Sequence, residues 1–350
     1  MIQSMNTLPR TMLYCPAGVC PYLLQDSISS IFNKFVSMHT LREIPLCSIY
    51  DMYKAGCALP FSSSSSDDFI TLNMPFSNGC FNDQLSSRLS KTSHRRHNTK
   101  DGIAIWTASG KQLITPNEYE SIIDFYQPKL HQTLFDYEYA ADLSDKSKTK
   151  CIDRSVDYVL ESKTKSFLSL IGGSDISKRK RYIDKLIEAN IELKNFEGIV
   201  YEGIDFSENS IEHIIKCLSI YSANDLPLYK CILNPISPLQ AARLYPYANL
   251  FSGLYPLQLL GNALNPKLLT SKGPVPIGAY DSSTCECPVC SQISKQYWMH
   301  LIDAKEILGK TYCVMHNIFS YCTFFADMRD SITANTFELY LQRLESVFIE

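Results

Sequence analysis

The sequence predicts an α/β fold: an irregular (β/α)8 TIM barrel with a helical segment at its C-terminal end. Three observations carry this. Short apolar runs alternate with helical segments between residues 101 and 251, at about 30 residues per unit, the pattern of βα units around a parallel sheet. The candidate strand ends are rich in Gly, Asp and Ser, which favours a closed barrel over an open doubly wound sheet. No G-x-G-x-x-G follows the first strand, so the main signal of a dinucleotide fold is missing. The barrel is expected over residues 1–270, with an irregular N-terminal part, and the helical segment over 271–350.

The elements follow in order. Phe69–Leu72 reads as a strand between two polar stretches, Ser62–Ser66 and the basic run from Ser86 to Lys100. Ile103–Trp106 is a strand. Thr115, Pro116 and Glu118 form a helix start, with Thr115 as N-cap, Pro116 at the first helical position and Glu118 closing a capping box. That helix should end near Tyr126. Then come a strand at Thr133–Phe135, a helix at Lys150–Ser162, a strand at Ser166–Ile171 and a helix at Ile176–Ala189. Strands at Gly198–Tyr201, Leu228–Leu233 and Asn249–Phe251 are separated by helices at Ile211–Ile220 and Gln240–Tyr245. Beyond residue 291 three helices follow: Gln292–Leu308, Thr311–Asp327 and Asp330–Phe348, with Gly309 as a C-cap between the first two.

Composition removes several function classes. The chain has 350 residues, 45% apolar, which suffices for a large core without disulfide staples. With 33 basic and 36 acidic residues the net charge is −3, so no global basic field marks a nucleic-acid binder, and phosphate contacts would need local patches. Two are available: Arg95-Arg96 and Lys178-Arg179-Lys180-Arg181. A solvated surface is the plainer reading of both. No window approaches the roughly 20 apolar residues of a membrane helix. The N-terminus lacks the apolar core of a secretory signal, so a cytoplasmic protein is expected.

Thirteen cysteines are present, most of them scattered as expected for buried small hydrophobes in a reducing compartment. Cys285, Cys287 and Cys290 are different, because they fall within six residues, and His316 follows after 25 more. Three thiolates and one imidazole make a closed tetrahedral set for one structural Zn2+ per chain. Four protein ligands leave no open position for a catalytic water. A chance cluster of buried thiols is the alternative. The fold class thereby becomes a barrel with a C-terminal zinc-binding helical subdomain. His94 and His97 flank the Arg95-Arg96 pair and read as loop, and His300 reads as a packing or capping residue.

The ligand spacing does not stand alone. Together with Tyr297-Trp298-Met299-His300-Leu301, Glu306-Ile307-Leu308-Gly309, His316-Asn317-Ile318 and Met328-Arg329-Asp330-Ser331-Ile332, it resembles the C-terminal signature of the tRNA-guanine transglycosylases. Leu13-Tyr14, Pro21-Tyr22-Leu23, Thr115-Pro116 and the Phe251–Pro256 segment extend the resemblance upstream. The resemblance implies an irregular (β/α)8 barrel with a zinc-binding insertion. It also implies exchange of guanine at the tRNA wobble position for a modified base, queuine in eukaryotes.

The sequence departs from the family where the chemistry lies. Exchange needs a carboxylate nucleophile and a second carboxylate as acid/base. In active members the nucleophile is an aspartate directly after Phe, followed by Pro-Thr-Arg; here Ser252 follows Phe251 and the Thr-Arg is absent. The family's Ser-Gly-Gly-Phe-Gln loop has no counterpart in residues 61–85. Ile171 stands for the base-reading Gln, and Tyr201-Glu202 for the glycine pair of the next strand end. Asp136, after Phe135, matches one base-pocket aspartate, with a surface or capping role as the other reading.

The pattern therefore resembles a non-catalytic member of the family. Such a chain would form a heterodimer with a catalytic queuine tRNA-ribosyltransferase subunit, help to bind tRNA and have no catalytic residues of its own. The resemblance also implies a peripheral association with the mitochondrial outer membrane. A stand-alone transglycosylase and a zinc-stabilised barrel with an unrelated small-molecule role are the competing readings. The contact surface is expected around Tyr297, Trp298, Phe319, Tyr321, Phe324 and Phe325.

Overall fold

The computed structural model describes residues 8–24, 27–28, 31, 41–60, 67–72, 98–136, 144–163, 166–204, 206, 209–221, 225–261, 265–283 and 285–348. Contacts divide the chain into two units, one of Met1–Tyr14, Val19–Thr40 and Pro235–Glu350, the other of Cys15–Gly18 and Leu41–Asn234. This grouping differs from a boundary at residue 270. The N-terminal strands β1 (Arg10–Thr11) and β2 (Leu13–Tyr14) belong with the C-terminal part.

The second unit begins with β3 (Leu41–Pro45), helix α1 (Leu46–Lys54) and β4 (Asp67–Thr71). An antiparallel hairpin, β5 (Ile103–Thr107) and β6 (Gly110–Ile114), leads into α2 (Pro116–Tyr126) and β7 (Leu130–His131). Then βα units alternate: α3 (Asp145–Glu161), β8 (Phe167–Leu170), α4 (Ile176–Glu188), β9 (Gly198–Tyr201), α5 (Ile211–Ser219) and β10 (Tyr229–Ile232). Strands β3, β4 and β7 pair in parallel, as do β8, β9 and β10. A parallel bridge between Gln132 and Phe167 joins the two sets into one run of six strands. Phe69, Phe167 and Tyr229 pack in a row along it, with ring centroids 4.7 and 6.3 Å apart.

Helix starts follow the capping chemistry. Thr115 accepts from the Glu118 N–H at 3.2 Å, Asp175 from those of Ser177 and Lys178, and Ser210 from that of His213. The expected capping box at Glu118 has other business, since its carboxylate accepts from Tyr50 and Lys54 at 2.9 and 2.7 Å. The strand expected at Thr133–Phe135 lies three residues earlier. There the Thr133 N–H donates to the Phe167 carbonyl (2.8 Å), the Thr133 hydroxyl accepts from the Ser169 N–H (3.0 Å) and the Ser169 hydroxyl donates to the Thr133 carbonyl (2.8 Å), so side chains supplement a single backbone contact.

In the first unit β1 pairs in parallel with β11 (Leu250–Phe251), which follows α6 (Pro238–Leu244). Helix α7 (Tyr255–Gln258) and the hairpin β12 (Lys267–Thr270) and β13 (Gly273–Pro276) precede three helices. These are α8 (Lys295–Asp303), α9 (Ile307–Thr333) and α10 (Phe337–Val347). Asn317 fastens α9 to its surroundings, accepting from the Leu269 N–H (2.8 Å) and donating to the carbonyls of Lys267 (3.0 Å) and Pro256 (3.2 Å).

Two expectations change here. Helix α9 runs on to Thr333, because Phe325 and Met328 lie wholly inside and Asn335, at φ 54°, supplies the left-handed cap. Gly309 is no C-cap; it sits in the first turn of α9, where a Cβ would come within 2.9 Å of Ile302. Lys305, at φ 59°, ends α8 instead. No helix among the described residues is long and apolar enough to cross a membrane.

Candidate functional site

The hairpin β12–β13 delivers the chain to the turn that carries Cys285, Cys287 and Cys290, and α9 brings His316 back to them. The four ligand atoms lie within 4.8 Å of one another. His316 Nδ1 is 3.6 Å from the Cys285 sulfur and 3.5 Å from those of Cys287 and Cys290. An ion holding sulfur at about 2.3 Å and nitrogen at about 2.0–2.1 Å with tetrahedral angles sets N and S about 3.6 Å apart. The donor set therefore fits zinc in both chemistry and spacing. Among the described residues it is the one group of three or more His, Cys, Asp and Glu side chains arranged to bind a metal ion.

The outer contacts point the same way. His316 Nε2 donates to the Leu269 carbonyl at 2.9 Å, which fixes the tautomer and leaves Nδ1 as the ligand. The Cys290 N–H points at the Cys287 sulfur (3.2 Å), and the Tyr280 hydroxyl lies 3.1 Å from that of Cys290. Tyr280 and Trp298 set their rings edge-on to His316, with centroids 4.9 and 6.0 Å away. Hydrogen bonding from Cys287 and Cys290 draws the Cys285 thiol far down, while contact with Cys285 and Cys290 pushes Cys287 far up. Three crowded sulfurs cannot all ionise without a cation among them.

The other expected site residues are dispersed. Arg95 and Arg96 lie outside the described residues. Lys180 and Arg181 are exposed on α4, and Lys178 pairs with Asp145 at 3.2 Å. Arg179 corrects the expectation: its guanidinium is fully enclosed and bonded to carbonyls, so it has no access to a phosphate. The aromatic contact set changes as well. Trp298, Phe319, Tyr321 and Phe325 are buried within this chain, and Tyr321 donates to the Ile236 carbonyl at 2.8 Å. Exposed apolar side chains among the described residues of this region include Tyr297, Ile307 and Leu308, at 48, 70 and 42% exposure, with Leu339 and Val347 further on, on α10.

Ser252 follows β11 and is completely buried. Its hydroxyl accepts from the Leu254 N–H at 3.2 Å, so it serves the turn as a neutral acceptor where active family members carry a carboxylate. Asp136 is buried too and fully engaged: Asn98 donates to one oxygen (2.8 Å), and Arg154 donates from Nε (2.6 Å) and pairs through a second nitrogen at the other.

Sequence reasoning missed a third group. Gln132, beyond β7, donates to the Glu202 carboxylate, beyond β9, while its Oε1 accepts from the Leu72 N–H at 2.8 Å. Burial pushes the Glu202 carboxyl up to about 7, against the pull of Gln132 and Arg179 and with help from Glu43. The signal available was the position of both residues just past a strand end.

Fold and site together define an α/β protein with a parallel sheet and a Cys3His cluster in a helical region. The queuine tRNA-ribosyltransferase family profile matches residues 21–348, and the chain belongs to this family. It is 23% identical over 361 residues to queuine tRNA-ribosyltransferase accessory subunit 2 of Trichoplax adhaerens, covering 93% of this chain and 89% of that protein. The proteins of the same name in Caenorhabditis elegans and Drosophila persimilis are 27 and 24% identical. They cover 67 and 93% of this chain, and 69 and 82% of their own.

Proposed function

We propose that this chain is the non-catalytic subunit of a queuine tRNA-ribosyltransferase, paired one-to-one with a catalytic homologue. The observation that carries the reading is Ser252. Displacement of guanine needs an anionic oxygen that forms and later releases a bond to the ribose carbon. A buried serine hydroxyl accepting a backbone N–H is neutral at every working pH. Asp136, the other carboxylate the resemblance singles out, is buried and has both oxygens engaged, by Arg154 and Asn98.

In this reading zinc occupies Cys285, Cys287, Cys290 and His316, where it would join the cysteine turn to the middle of α9. The parallel strands continue into a closed barrel. The exposed Tyr297, Ile307 and Leu308 contribute to the partner contact, since large apolar side chains at an interface centre carry much of its energy. Lys180 and Arg181, with Arg95 and Arg96, offer charge to the tRNA backbone in the assembled complex.

The test is incorporation of labelled guanine or queuine into tRNA. The purified chain should incorporate none, and a mixture with a homologue that carries the aspartate should do so. Incorporation by the chain alone would assign it catalysis and overturn the reading.

A further inference from the structure

Helix α5 carries His213 and Cys217 at positions i and i+4, which lie on one face a turn apart. Ser210 accepts the His213 N–H at 3.3 Å and fixes the first turn, which holds the imidazole. Both side chains reach the turn that follows β8, where Ser174 offers its carbonyl. His213 Nε2 is 2.8 Å from that oxygen, the Cys217 sulfur is 3.5 Å from it, and sulfur and nitrogen are 3.6 Å apart. A thiol, an imidazole nitrogen and a carbonyl oxygen thus form a closed triangle inside the unit of Cys15–Gly18 and Leu41–Asn234.

Two sides of the triangle match a coordination shell. A tetrahedral ion with sulfur at about 2.3 Å and nitrogen or oxygen at about 2.0–2.2 Å sets sulfur about 3.6 Å from each of them. The third side, at 2.8 Å, is that of a hydrogen bond, and it opens by roughly 0.5 Å when an ion takes the place of the proton. Cys217 is buried, His213 is half-buried and Ser174 is exposed. The sulfur therefore lies inside, and the remaining coordination positions face solvent.

We propose that His213, Cys217 and the Ser174 carbonyl form an exchangeable metal site for a borderline or soft divalent cation of the zinc class, completed by water. Thiolate and imidazole select such ions over magnesium or calcium. On binding, the imidazole proton moves from Nε2 to Nδ1 and the Cys217 S–H proton goes to solvent, so one proton leaves for each ion taken up. Burial favours the protonated thiol, Arg179 opposes that effect and Asp175 reinforces it. With two side chains as ligands and a proton to displace, this site holds an ion less tightly than three cysteines and a histidine do. Filled, it ties α5 to the turn after β8.

The experiment is equilibrium dialysis of the full chain against Zn2+, with bound metal counted per chain. At micromolar free zinc, wild type should bind one equivalent more than His213→Ala and one more than Cys217→Ala. His213→Cys, which puts another soft donor at the same position, should keep the extra equivalent, so loss in the alanine variants is loss of a ligand and not of the fold. Two results overturn the proposal: equal uptake by wild type and His213→Ala, or an extra equivalent that appears only at millimolar zinc, which is adventitious binding. The readout is a difference of one ion between chains that all keep Cys285, Cys287, Cys290 and His316. It stands apart from that cluster and from the non-catalytic reading, and each fails separately.

Discussion

His316 donates its Nε2 proton to the carbonyl of Leu269, 2.9 Å away, and thereby presents Nδ1 to three cysteine sulfurs. One backbone acceptor on β12 sets the tautomer that a metal requires. The expected consequence is about one zinc per chain by elemental analysis. Cys287→Ser should release it and reduce the helical circular dichroism, because metal binding and folding of such sites are coupled. A metal-free protein with an unchanged melting curve would leave the thiols as ordinary core residues.

The carboxyl of Glu202 predicts a pH dependence. Its value is raised from 4.5 to about 7 in the folded protein, chiefly by burial. A raised pKa means the protonated form is the one the fold favours. Its contribution is therefore complete below about pH 4.5 and is lost as pH climbs through about 7. Glu202→Gln keeps an acceptor for Gln132 and abolishes the titration. The variant should gain on the order of 2 kcal/mol over wild type between pH 5 and 8, read from denaturant unfolding across that range. A difference that stays flat with pH would contradict the assignment.

Two buried tyrosines should respond in opposite directions. The Tyr182 hydroxyl is enclosed and has no hydrogen-bond partner among the described residues, whereas the Tyr321 hydroxyl donates to the Ile236 carbonyl. Tyr182→Phe should be neutral or stabilising. Tyr321→Phe leaves a buried carbonyl unpaired and should cost about 1–3 kcal/mol in unfolding measurements.

The legible parts of this molecule were those written in local chemistry. Gly198–Tyr201 matched the observed strand in full, and Thr115 capped its helix as expected. That Cys285, Cys287, Cys290 and His316 come together was readable because soft donors at this spacing have few other uses. The misreadings came where distant residues decide. Gly309 looked like a helix stop, yet the approach of Ile302 and the Trp298 indole, which donates to the Gly309 carbonyl at 3.1 Å, fix its place. Arg179 sits in a run of four basic residues, and no local rule distinguishes the one that turns inward to carbonyls of β8 and β9. Gln132 and Glu202 lie 70 positions apart, so only the sheet brings them together.

The buried aromatics also refine how the interface is probed. Lysine at Tyr321 or Phe325 would place a charge in the interior of the first unit and unfold it. Tyr297→Lys and Ile307→Lys change exposed positions instead. Each should leave Tm and zinc content unchanged while weakening association with a catalytic homologue by about tenfold or more. Unchanged association in both variants would move the contact elsewhere on the surface.

The central claim is partnership, and light scattering of this chain mixed with a catalytic family member tests it most directly. The account predicts one species at micromolar concentration with the mass of a one-to-one heterodimer. Two species eluting separately, each at its own mass, would contradict it.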